Sequence, residues 1–257
     1  MRSPAHNPVR FFTILAIAAA SLSVFHAAIM QGTAPDATQE IGGHMAMTAL
    51  RPLHPGDRKR ADAIVAAARK AALPYTDYRK ALADGYTVFL PDVPQNVYHF
   101  TLKSNVRAAA LDFDPARPTS LLYEKVPAAK PGEQAGYKLV GVMYTAPYRL
   151  SEDDLNQRIP LSIAQWHVHT NLCMPPDAQW SDVLSSDPRF GLRGSITTAS
   201  ACDAAGGRFR PHFMGWMVHV YPFEANPAKI WSAGMNDRHG MQHDAMPPMT
   251  MGSGKTM

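Results

Sequence analysis

Gln165-Trp166-His167-Val168-His169-Thr170-Asn171-Leu172-Cys173 decides how the chain is read. In an extended strand, successive side chains alternate between two faces, and residues two apart stand about 7 Å from each other. His167 and His169 then share one face, while Trp166, Val168 and Leu172 occupy the other. Two imidazoles on one rigid strand face can chelate a metal ion with little backbone reorganisation. The pattern points to a metal site on a sheet and names no reaction, so it leaves open whether the protein is an enzyme.

The surrounding sequence supplies the sheet. Tyr86 to Leu90, Val97 to Leu102, Ser120 to Val126, Tyr137 to Thr145, Ile163 to Leu172 and Phe213 to Tyr221 are rich in aromatic and β-branched residues. A loop rich in Pro, Gly and Lys joins the third and fourth of these, which reads as a hairpin. Upstream, Ala61, Ile64, Val65, Ala68 and Ala72 form one apolar stripe at helical spacing, with Asp57 as the expected N-cap and Pro74 as the stop. A shorter helix is expected from Asp77 to Ala83, capped by Thr76 and ended by Gly85. Further short helices are expected at Glu152–Gln157 after Ser151, near Trp180–Leu184, and at Ser200–Gly207. The sum is an α+β fold, N-terminal helices packed on a mostly antiparallel sheet. The alternative is a cupin-like β-barrel.

The 257 residues are 46% hydrophobic, enough for a sizeable core, and the 22 prolines argue against a helical bundle. The net charge of +4 is small, and no dense Lys/Arg stripe supports nucleic-acid binding. Residues 1–30 read as a signal peptide or N-terminal anchor. Arg2 and Arg10 precede the uncharged run Phe11 to Met30, which would attach the protein to a membrane if left uncleaved. Either outcome places the body outside the cytoplasm: periplasmic, extracellular or anchored facing outward. Residues 31–56 read as a flexible lead-in, 57–234 as a single α+β domain, and 235–257 as a disordered tail rich in Met and His. That tail, with His44-Met45-Ala46-Met47 near the other end, has the soft-donor flavour of a copper-binding segment.

The chain has two cysteines, Cys173 and Cys202. In an exported protein such a pair is most simply a disulfide. The rival readings make Cys173 a thiolate metal ligand beside the histidines, or a nucleophile near His169. Further metal donors are sought on neighbouring strands. His99 lies in Val97-Tyr98-His99-Phe100. His212 and His219 flank Phe213 to Val218, and their odd separation puts them on opposite faces, so only His219 is expected to meet the pair. The expected ligand set is His167, His169, His99 and His219, with Glu124 added as a ligand or supporting carboxylate and Asp112 and Asp114 as weaker candidates. Such a set suits zinc, copper or iron. If the histidines are instead structural, the apolar sheet face reads as a binding module for an apolar ligand or envelope partner. Gly252-Ser253-Gly254-Lys255-Thr256 lacks the first glycine of a phosphate-binding loop and has no helix to follow it. No Gly-x-Ser-x-Gly elbow supports a serine hydrolase.

Several blocks carry a resemblance: Ala109–Pro115, Leu121-Leu122-Tyr123-Glu124, Leu139-Val140-Gly141-Val142-Met143-Tyr144 and Trp166-His167-Val168-His169. They resemble an uncharacterised family of exported bacterial proteins. Their order is also similar to that in plant oil-body-associated proteins, which carry a "LIGVEY" strand followed by a "WHSH" strand. Met143 stands where that pattern has glutamate. The resemblance spans roughly residues 97–221 and implies a shared core without an activity. The His-x-His strand is also similar to the first cupin motif, with Cys173 where a cupin places glutamate.

Overall fold

In the computed structural model the described residues are 39–41, 43–128 and 136–232. They form a single open antiparallel sheet with helices, an α+β architecture as expected. The elements in chain order are β1 (Gln39–Ile41), β2 (Met45–Met47), α1 (Asp57–Ala72), α2 (Tyr78–Ala83), β3 (Thr87–Val88), β4 (Tyr98–Thr101) and α3 (Lys103–Ala109). They continue with β5 (Ser120–Val126), β6 (Gly136–Ala146), α4 (Glu152–Arg158), β7 (His167–Met174), α5 (Ala199–Ala204) and β8 (Arg208–Val220). The strand order is β1-β2-β7-β8-β6-β5-β4-β3. With β1 and β3 as free edges the sheet does not close, so the cupin-like barrel is not the architecture formed.

Side-chain alternation divides the sheet into two faces. One carries Ala46, Tyr98, Phe100, Leu121, Tyr123, Val142, Tyr144, Trp166, Val168, Trp216, Val218 and Val220, which pack with Ile64, Ala68 and Ala72 of α1 into the main core. The stripe on α1 is therefore what covers this face. The other carries a smaller cluster of Val97, Leu122, Val140, Met143, Met217 and Tyr221, together with the histidines. Leu172 lies beyond Asn171, whose φ of 55° breaks the alternation, and does not join the main core.

Several local expectations are corrected. Gly56, at φ 93°, is the N-cap of α1. Asp57 is its first residue, with its carboxylate accepting from the His54 backbone N–H and the Ser162 hydroxyl. Asp77 rather than Thr76 caps α2, accepting from the Arg79 backbone N–H. The Trp180 region is a 3-10 stretch, Asp177–Leu184. The segment expected as a flexible lead-in supplies β1 and β2, and β2 pairs with β7. Helix α3 lacks a side-chain cap and was not foreseen. Ser151 does cap α4, in a reciprocal box with Asp154. The expected hairpin is β5–β6. The expected leader at 1–30 and the Met/His tail at 235–257 lie outside the described residues. No described helix is long and apolar enough to cross a membrane.

Cys173 of β7 and Cys202 of α5 form a disulfide with Cα atoms 5.5 Å apart, and no cysteine is free. This removes Cys173 as thiolate ligand or nucleophile. The bridge is packed among Val183, Phe190 and Ile196. Gly207 makes room for it, since a Cβ there would lie 2.5 Å from Cys173 Sγ and 3.0 Å from Cys202 Sγ. Replacing both cysteines by alanine should lower unfolding free energy by about 2–4 kcal/mol in urea titration. An unchanged midpoint would mean the bridge contributes nothing to stability.

Candidate metal centre

Four histidines from three strands face the second side of the sheet. His167 and His169 extend from β7, His219 from β8 and His99 from β4, and all four line one cavity of about 1680 Å³. His219 Nε2 and His99 Nε2 are 3.3 Å apart. Ring centroids lie 5.3 Å apart for His99 and His219, 5.0 Å for His167 and His219, and 5.8 Å for His167 and His169. The strands of His99 and His219 are separated by β5 and β6, a span of about 14 Å in a flat sheet. Twist and coiling of the sheet, together with the reach of two imidazole side chains, account for the 3.3 Å approach.

Register explains why these four rings share one face. Between His167 and His169 the β7–β8 ladder passes from Met217 to Phe213, so β8 carries two extra residues there. The bulge includes Met214 at φ 66°. An insertion of two preserves side-chain parity, whereas an insertion of one would reverse it. Phe213, opposite His169, therefore stays on the face of Met217, opposite His167, and His219 shares that face through its regular pairing with β6. His212 falls on the other face, exposed and stacked on Tyr148 at 3.9 Å between centroids. His219 lines the cavity with His167 and His169, and His212 does not.

Burial sets the charge state. His167 and His219 are 2% and 4% exposed, while His99 and His169 open partly to the cavity. Desolvation holds His99 down to about 4 and His167 down to about 3, with neighbouring histidines adding a smaller depression. His169 is lowered and His219 is well below its ordinary value, again mainly through burial. At neutral pH the four rings are neutral and offer lone pairs. His167 Nδ1 is buried and finds no hydrogen-bond partner among the described residues. A buried orphan of this kind costs about 1–3 kcal/mol unless something else satisfies it.

The 3.3 Å separation admits two chemistries. A proton on one nitrogen makes it a long N–H···N hydrogen bond. Two ligands bound about 2.0–2.1 Å from one tetrahedral ion would also stand about 3.3–3.4 Å apart, with their ring centroids about 5.2 Å apart. The observed centroid spacings bracket that value. Among the described residues, no three His, Cys, Asp or Glu side chains already stand gathered as a metal-binding group. His99 and His219 are the converged pair.

Glu124 is not brought to this centre. It opposes Lys138 across β5 and β6 and does not line the cavity. Asp112 and Asp114 also lie away from it, each accepting from backbone N–H groups of its own turn. A fifth histidine does line the cavity. The His44 ring spans two backbone carbonyls, Nε2 lying 2.5 Å from Gly194 O and Nδ1 3.3 Å from Thr170 O. Its neighbours Met45 and Met47 also line the cavity, while Ala46 between them packs in the main core. Comparison with protein-family models, with curated proteins and with solved structures returns no match, so the reading of the site rests on these residues.

The depressed histidines fix the sign of a pH dependence. Above about pH 6.5 they are neutral in both the folded and the unfolded chain. Below it the unfolded chain binds protons that the folded chain excludes, down to about 4 at His99 and about 3 at His167. Without added metal, stability should therefore fall as pH drops from 6.5 to 4.5, by up to about 1.4 kcal/mol per pH unit for each excluded proton. Urea midpoints across that range measure it, and His99→Asn should flatten the slope. A pH-independent midpoint between 7.5 and 4.5 would contradict the neutral, buried assignment.

Proposed function

We propose that this is an exported metal-binding protein whose histidines His99, His167, His169 and His219 hold a transition-metal ion on the inner face of the sheet. The observation that carries the reading is the approach of His99 Nε2 to His219 Nε2, 3.3 Å, inside a buried, neutral group of imidazoles. The unsatisfied Nδ1 of His167 adds to it. Zinc, copper and iron all accept neutral imidazole. The disulfide suits the oxidising compartment that export implies.

The cavity above the rings gives the second reading its support. Phe89, Leu90, Phe213 and Trp231 line it with the histidines, and its volume exceeds that of most single-ligand pockets. On that reading the protein is a non-enzymatic module for an apolar ligand and the imidazoles only bond to one another.

Metal content separates the two. Protein isolated from its native compartment should carry about one equivalent of transition metal by elemental analysis. Re-adding the metal to stripped protein at 100 times Kd should stabilise it by about 2.7 kcal/mol. His99→Ala/His219→Ala should abolish both effects. Metal far below one equivalent, with a melting temperature unmoved by zinc or copper, would favour the apolar-ligand module.

A further inference from the structure

The four imidazoles do not face the cavity alone. Sheet register sets a methionine directly opposite each cavity-lining histidine of β7 and β8. Met45 is opposite His169, and Met47 and Met217 flank His167 from its two neighbouring strands. Met143 is opposite His219. Directly opposed residues share a face, with Cβ atoms about 4.5–5.5 Å apart. All four methionines line the same cavity as the histidines. Met47, Met143 and Met217 are buried there. No aspartate or glutamate is among the described residues that line this cavity.

We infer that the histidine centre is a copper(I) site, completed by thioether sulfur from Met143 and Met217, rather than a zinc or iron site. This rests on the metal-binding reading proposed above and adds the identity of the ion. Imidazole alone suits zinc, copper and iron alike, whereas thioether is a soft donor that selects copper(I). Carboxylates do not line this cavity, and both cysteines are consumed in the disulfide. The partial convergence of the imidazoles points the same way. His99 and His219 are poised as a pair, and copper(I) is content with two or three donors where zinc asks for four. A methionine side chain has three rotatable bonds and a polarisable sulfur, so it can swing onto the ion without backbone change.

The test uses the full chain, stripped of metal and handled without oxygen. Copper(I) affinity is read in competition with bicinchoninate, and zinc affinity in competition with a chromophoric chelator. Met143→Leu/Met217→Leu keeps the volume of the cavity wall and removes its sulfur. His99→Ala/His219→Ala reports any copper(I) held elsewhere in the chain. The expected result is one copper(I) lost in the histidine variant, and at least a tenfold weaker copper(I) affinity in the methionine variant. Zinc affinity in the methionine variant should stay within threefold. X-ray absorption of the copper(I)-loaded wild type should show both nitrogen and sulfur neighbours. The single variants Met143→Leu and Met217→Leu replace the double variant if circular dichroism shows that it does not fold. Copper(I) affinity unchanged by methionine loss, or a nitrogen-only copper shell, would overturn the copper assignment and leave the metal site standing. No histidine-dependent binding of either metal would overturn both.

Discussion

Everything about this cavity follows from burying four uncharged imidazoles on the inside of a curved antiparallel sheet. An imidazolium there would have to be desolvated beside three like neighbours, and the fold responds by holding the rings neutral. Neutral rings keep their lone pairs, and lone pairs aimed into a shared space are what a metal ion uses. The same burial is costly where a ring nitrogen finds no partner, as at His167 Nδ1.

Parity holds the arrangement together. Across β2, β7, β8, β6, β5 and β4, one face fills the helix-covered core, while the other carries the histidines and a second apolar cluster, of which Met143 and Met217 line the cavity. The β8 bulge adds two residues and preserves the division, whereas β6 carries one extra residue opposite Leu122–Tyr123, which reverses its alternation so that Leu139 joins the core and Val140 the second face. A single-residue slip would have sent His219 into the apolar core and Val218 into the cavity. The helices stabilise the far face and contribute no histidine to the centre. α1 lays its alanine-rich stripe on the sheet, and Tyr123 reaches across to donate its hydroxyl to the Tyr75 carbonyl at 2.6 Å. The disulfide anchors the outer end of β7, whose inner end carries His167 and His169.

Much of this was legible in the chain because it rests on period. The alternation around His167 and His169, the odd spacing of His212 and His219, and the stripe of α1 each report a face directly. So did the pair of cysteines. What the sequence hid has physical reasons. β2 is three residues long, too short for a periodic signal, and it exists because β7 offers it an edge. Helix α3 begins at an uncapped Leu102 and is placed by its packing rather than by a local start signal. Glu124 was a plausible donor by residue type, yet the register sets it opposite Lys138, off the cavity. Met143 looked like the loss of an acidic ligand. Its place opposite His219 makes it a soft neighbour of the centre instead.

The central claim is that His99 and His219 are two ligands of one ion. Crystals grown with copper or zinc, and measured at the absorption edge of the added metal, test it most directly. The account predicts an anomalous peak about 2.0–2.1 Å from both Nε2 atoms, with the His167 ring turned toward it. Density for a direct Nε2–H···Nε2 contact near 3.3 Å, with no anomalous signal between the rings at saturating metal, would contradict it.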